Sequence, residues 1–190
     1  MYGTQIIALL TAASTVAALP QRPGIGERPA DKIYPWQIST LYTHSPSGRP
    51  GNDPHSTLNF TINDYSTIVI GGTPTGWAVW GPSTANCSAQ WLTSADVPYD
   101  TPINCSETLN SQWSFKLLPG TGEAGYGATT DFNLEITLKD ELYLFGTTYT
   151  KIFKGTDLFK VGENLAGQCG GSGVCNWGLQ NTPYNITQGQ

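Results

Sequence analysis

Asp131-Phe132-Asn133-Leu134-Glu135-Ile136-Thr137-Leu138 decides the fold class. Phe132, Leu134, Ile136 and Leu138 fall on every second position, each separated from the next by a polar residue. Successive side chains of a strand point to opposite faces, so this segment is a strand with one buried face. Lys139-Asp140-Glu141 follows and reads as a solvated polar turn. Leu142-Tyr143-Leu144-Phe145 and the run from Thr147 to Phe153 then read as a hairpin.

The same period recurs toward the N-terminus. Trp113, Phe115 and Leu117 alternate, as do Leu58, Phe60 and Ile62. Tyr34, Trp36 and Ile38 share a face opposite Gln37 and Ser39. Thr67-Ile68-Val69-Ile70 is a short β-branched run, and Ala85 to Leu92 is a further strand. The final strand is expected to start near Cys175. Gly71 to Pro82 reads as a turn-rich segment carrying Trp77 and Trp80, and residues 43–56 as a long loop holding both His44 and His55. No segment has a helical period, and 22 glycines argue against long helices. Seven or eight short strands separated by turns predict an all-β chain, a compact antiparallel β-barrel or sandwich. Residues 19–32, rich in Pro, Gly and charge, read as a flexible arm, and residues 33–190 as a single β-barrel domain.

The N-terminus sets the compartment. Residues 1–18 are uncharged, apolar from Ile6, and end in Val16-Ala17-Ala18, which fits a signal peptide with a small-residue cleavage site. The expectation is a secreted, extracellular protein. In an oxidising compartment four cysteines read as two disulfides, and the chain offers two local pairs. Cys87–Cys105 would tie a strand to the end of the Pro-rich loop after it. Cys169–Cys175 would close the Gly-rich turn CGGSGVC. Four N-glycosylation sequons begin at Asn59, Asn86, Asn104 and Asn185. Those at Asn86 and Asn104 hold a cysteine in the middle, where disulfide formation competes, so Asn59 and Asn185 are the better candidates.

Composition excludes several functions. Net charge is −5 and charged residues make up 12%, without the basic stripe a nucleic-acid binder needs. Nothing after the leader is apolar enough to span a membrane. No metal or organic cofactor is expected, because no CxxC and no histidine lies near a cysteine. Gly120-Thr121-Gly122-Glu123-Ala124-Gly125 matches G-x-G-x-x-G, but no helix follows to hold a pyrophosphate, so it is a glycine-rich hairpin loop. Catalytic constellations are thin. Asp53 and Ser56 flank His55 in a Gly/Pro loop, and acid pairs such as Asp140 with Glu141 or Asp131 with Glu135 lack support. No catalytic residue is assigned. Trp36 and Trp113 sit on apolar faces and read as core. Trp77 and Trp80 lie among turn residues, where exposed aromatics serve as binding anchors.

Taken in order, these elements resemble the Alternaria major allergen family of small secreted fungal proteins. Tyr34-Pro35-Trp36-Gln37-Ile38 resembles its opening Tyr-x-Trp-x-Ile strand, and Ser56-Thr57-Leu58-Asn59-Phe60-Thr61-Ile62 its next strand. Cys87-Ser88-Ala89-Gln90 with Cys105, and Cys169-Gly170-Gly171 with Cys175, resemble its two intramolecular disulfides. The resemblance implies a β-barrel and a non-enzymatic role as allergen, elicitor or effector. Its implied partners are plant extracellular defence proteins, such as thaumatin-like ones, or small phenolic ligands. No cysteine precedes Tyr34, so the family's covalent dimer is not expected. The stretch from Ile62 to Cys87 is longer than the family's and carries Trp77 and Trp80. The competing reading is a secreted carbohydrate-active enzyme or carbohydrate-binding module.

Overall fold

The computed structural model describes residues 26–189. The expected signal peptide and the first part of the arm lie outside the described residues. Thirteen strands follow one another among the described residues: β1 (Trp36–Ser45), β2 (His55–Asp64), β3 (Ile68–Thr73), β4 (Gly76–Trp80), β5 (Ser83–Leu92), β6 (Ile103–Asn104), β7 (Ser111–Pro119), β8 (Asp131–Leu144), β9 (Thr147–Lys160), β10 (Leu165–Cys169), β11 (Cys175–Leu179), β12 (Tyr184–Ile186) and β13 (Gln188–Gly189). The described residues contain no helix. The chain is all-β, and its strands pair antiparallel.

Two sheets face each other. The first has the order β10–β11–β1–β2–β5, with β12 also on β1; the second has the order β13–β9–β8–β7–β6; β3 and β4 form a separate hairpin. The alternation seen in the sequence supplies the interior. Leu58, Phe60 and Ile62 of β2 and Ala85, Cys87, Ala89 and Trp91 of β5 point inward from one side; Trp113, Phe115, Leu117, Phe132, Leu134, Ile136 and Leu138 meet them from the other. Aromatic rings lock the layers edge to face: Trp36 on Trp113 and Phe60 on Phe115, each pair with centroids 5.0 Å apart. Such pairs contribute about 0.5–1.5 kcal/mol beyond their area burial.

Of the two expected arrangements, barrel or sandwich, the sheets form the sandwich, and among the described residues the domain expected over residues 33–190 does not close into a barrel. No ladder of strand hydrogen bonds crosses between the two main sheets. They are stapled at their margins instead. On one side Cys87 of β5 is bonded to Cys105, just after β6, and the Ser106 N–H donates to Asn86 O at 2.8 Å. On the other side the chain leaves β12 in the first sheet and joins β9 as β13 in the second. Gly155 of β9 permits that crossing: a Cβ there would stand 2.9 Å from Ile186 Cγ2 and 3.1 Å from both Thr187 O and the Trp36 ring. Cys169–Cys175, the second disulfide, joins register partners of β10 and β11 across the Gly-rich turn.

Several local readings change. A bulge between Ile38 and Thr40 inserts one residue into β1, so Leu41 and Thr43 turn inward and Tyr42 outward. Tyr34 precedes the strand and is exposed. The 71–82 segment is not a string of turns but contributes to the β3–β4 hairpin. His44 belongs to β1 and His55 opens β2. β8 runs through Lys139-Asp140-Glu141 without a turn, because Ser111 of β7 pairs with Asp140 and lets the ladder continue. Residues 26–32, read as arm, lie against β3: Lys32 exchanges two backbone hydrogen bonds with Thr67, and Asp31 accepts from the Val69 N–H at 2.8 Å.

The two disulfides close loops of unequal length, with sequence separations of 18 and 6. On the chain-entropy model their loss costs about 3 and about 2 kcal/mol respectively. We therefore expect the Cys87→Ala/Cys105→Ala protein to be less stable in denaturant unfolding than Cys169→Ala/Cys175→Ala. The gap should widen further because Cys87 is a core residue. The reverse order would show that closing the β10–β11 turn matters more to the fold than fastening the β5 margin.

Candidate functional site

β7 stops pairing with β8 at Asp140, but β8 and β9 continue. The Glu141 N–H still donates to Asn110 O at 2.8 Å; beyond it Leu142–Tyr149, Tyr143–Thr148 and Leu144–Thr147 pair alone as a two-stranded finger. Phe145 and Gly146 form its two-residue tip, with φ of 48° and 85°. Two positive φ values make this a type I′ turn, whose twist matches the strands and whose first position favours Asn, Asp or Gly. A bulky side chain there is strained. Phe145 is nevertheless 74% exposed, and Tyr143 beside it 69%. Leu142 and Leu144 are half-buried, while Tyr149 and Ile152 are exposed. Near the root of the finger Lys139 pairs with Glu141 along β8 at 2.8 Å, and on β9 the Lys151 ammonium lies 5.0 Å from the centre of the Phe153 ring.

Trp77 and Trp80 both sit in β4 and both are half-buried. The Trp80 ring packs against the core, and the Trp77 indole N–H donates to Gly26 O at 3.1 Å. They do not form one exposed aromatic pair. Asn59 lies on the outer face of β2 and Asn185 on β12, both exposed. Asn86 on β5 and Asn104 on β6 are exposed as well.

The imagined triad does not assemble. His55 Nδ1 lies 2.5 Å from Asp53 Oδ1, and this hydrogen bond lowers the Asp53 carboxyl below the ordinary aspartate range. Ser56, the next residue on the strand, turns to the opposite face, where it is buried and bonds to Thr93 Oγ1 at 2.8 Å. His44 bonds to Asn176 instead. Asp131 and Glu135 also hold separate partners. Burial alone would raise Asp131, but its hydrogen bonds from Thr121 and the nearness of Lys160 outweigh that and hold the carboxyl low. It thereby closes the Gly120–Gly125 loop, which connects β7 to β8. Glu135 lies 3.9 Å from Lys116. Among the described residues no three His, Cys, Asp or Glu side chains converge as a metal site would require.

One buried acid was hidden from sequence reading. Asp140 is 4% exposed and accepts from Ser111 Oγ at 2.6 Å. Ser111 in turn lines an open hollow of about 370 Å³ with Asn104–Thr108 and Gln112–Trp113. Burial pushes the Asp140 carboxyl above the ordinary aspartate range, and the charge of Asp64 adds to the effect. The continuing alternation, with Leu138 followed at two residues by Asp140, was the available signal.

Two expectations follow. Trp80→Ala should remove core contacts and lower stability by about 2 kcal/mol or more. Trp77→Ala should cost about 1 kcal/mol, the worth of one hydrogen bond. Equal losses in denaturant unfolding would show that both rings are core. For Asp140, the folded chain holds its proton to higher pH than the unfolded chain, so stability falls as pH rises from the ordinary aspartate range through the raised folded value. Asp140→Asn should therefore melt higher than the parent at pH 7, and the difference should close below the ordinary range. A variant that melts lower at pH 7 would mean that the ionised carboxylate stabilises the fold.

Neither a family model, nor a curated protein, nor a solved structure matches this chain, so the functional reading rests on its own residues and geometry.

Proposed function

We propose that the protein is a secreted, non-catalytic binding protein that takes an extracellular partner protein on the β8–β9 finger. The observation that carries this reading is Phe145. A solvent-exposed phenylalanine in a left-handed turn position is costly both in hydration and in backbone conformation. Local strain at an exposed, apolar tip points to selection for contact, not for folding. With Tyr143, Leu142 and Leu144, the tip offers two aromatic side chains, the class enriched at protein interfaces, flanked by aliphatic surface.

The remaining features support the compartment and the partner class. Two disulfides suit an oxidising environment, and the uncharged apolar N-terminus suits export. The order of motifs resembling the Alternaria major allergen family favours a plant extracellular defence protein as the partner.

Asn is the preferred first residue of a type I′ turn, so Phe145→Asn separates binding from folding. Relief of the left-handed strain should raise the melting temperature by about 2–4 °C for a chain of this size. Loss of the anchor should weaken the partner at least about tenfold. The parent, Phe145→Asn and Trp77→Ala proteins are each immobilised and exposed to plant apoplastic fluid, and the captured protein is purified and titrated. The expected result is capture by the parent and by Trp77→Ala and weakened binding by Phe145→Asn. Undiminished affinity of Phe145→Asn, or no capture by the parent at micromolar concentration, would overturn the proposal.

A further inference from the structure

The outer face of the first sheet is almost free of charge. Among Asp, Glu, Lys and Arg, its six strands contain Asp64 alone, and that side chain is buried. Across the middle of this face run two rows of register partners. Tyr42, Asn59 and Ser88 form one row; Thr40, Thr61 and Asn86 form the other. They line a shallow hollow of about 180 Å³, room for a single sugar ring and not for a chain of them.

We propose that Asn59 carries an N-linked glycan and that its first sugar ring packs in this hollow against Tyr42. The inference rests on the reading of export given above. Four observations carry it. Asn59-Phe60-Thr61 is a sequon, and Asn59 is exposed on the sheet. Tyr42 is the direct register partner of Asn59, so the two side chains emerge about 5 Å apart on the same face. The Tyr42 ring lies down over Gly178 of β11, where a Cβ would stand 3.1 Å from Tyr42 Cδ1. A ring held flat by a glycine beneath it keeps its other face toward solvent, and Tyr42 is 62% exposed. Finally, the polar groups are arranged for a neutral, hydroxylated ligand. Ser88 Oγ donates to Asn59 Oδ1 at 2.7 Å, and Thr61 Oγ1 donates to Asn86 Oδ1 at 2.8 Å. The Asn59 amide nitrogen, the atom that bears the sugar, keeps only a 3.5 Å contact with Thr57 Oγ1.

Asn86 borders the same hollow and begins a sequon of its own, but Cys87 within that sequon is in the disulfide. One ring fills the space, so occupancy of Asn59 should exclude occupancy of Asn86. The apolar face of the sugar covers the tyrosine while its hydroxyls meet Thr40 and Thr61, which themselves bond at 3.1 Å.

The test compares the full chain secreted from a glycosylating host with the same chain produced in an oxidising host that does not glycosylate, each with and without Tyr42→Ala. Intact mass and peptide mapping should place sugar on Asn59 and none on Asn86. The glycan should raise the melting temperature of the parent by about 2–4 °C, a gain that survives trimming to the first sugar and disappears in Tyr42→Ala. An unoccupied Asn59 in exported protein would overturn the proposal, as would an equal gain in the two proteins. So would binding of free N-acetylglucosamine oligomers by the unglycosylated chain without sugar on Asn59 in the exported one, which would make the hollow a site for external carbohydrate. Failure of the chain to be exported at all would instead overturn the reading of secretion on which this rests.

Discussion

The contact on which the rest depends is the edge-to-face meeting of Trp36 with Trp113, repeated by Phe60 with Phe115. These rings hold the two sheets together in the middle, where no backbone hydrogen bond crosses. Once that spacing is set, the remaining inner residues of β2, β5, β7 and β8, from Ala85 and Ala89 to Leu134, Ile136 and Phe132, fill the space between the layers. The margins are then free to be held by other means. A disulfide serves one margin. At the other, the C-terminal chain passes from β12 to β13, and Gly155 leaves room for it beside Trp36. The sandwich is thus a packed centre with two different edge fastenings, and neither fastening needs the strands to close into a barrel.

Much of this arrangement was legible because a half-buried strand writes its burial into every second residue. β5, β7 and the first half of β8 show that pattern without interruption, and the cysteines paired locally as their spacing suggested. What stayed illegible was anything that depends on a neighbour. The Ile38/Thr40 bulge changes which residues of β1 point inward, yet no residue there announces it. Barrel and sandwich share the same alternation and differ only in whether edge strands meet. Asp140 looked like part of a turn because it lies between Lys139 and Glu141; its burial follows from Ser111 lying opposite.

The candidate sites were legible to a lesser degree for the same reason. Leu142-Tyr143-Leu144-Phe145 is as apolar as the core segment that precedes it. What exposes it is the end of β7 at Ser111, which leaves the last pairs of β8 and β9 without a third strand. Conversely, Trp80 sits among glycines and prolines in sequence, yet its ring packs on the core because β3 and β4 fold into a hairpin. Composition cannot separate an anchor from a core ring; the strand overhead decides. Phe145-Gly146 was the one local signal. A hairpin of this length asks for Asn-Gly at its tip, and the sequence places an aromatic there instead.

Charge divides the molecule into two unlike surfaces. β8 and β9 carry Glu135, Lys139, Glu141, Lys151 and Lys154 on or near their surface, while the outer face of the first sheet carries threonine, asparagine, serine and glutamine. An uncharged sheet is prone to pair with its like at its edge strands, which proteins usually blunt with lysines, prolines, short strands or a covering segment. This sheet contains no lysine. Its two edges are protected differently. β5 is capped by the Cys105–Ser106 segment bonded to Asn86, and β10 is only five residues long and tied back by Cys169–Cys175. The edges are therefore blunted, one by a covering segment and one by its shortness, while the broad face stays open and neutral. A sugar ring on that face would supply the hydrated, steric cover that charge supplies on the second sheet, while the finger projects its apolar tip uncovered into solvent.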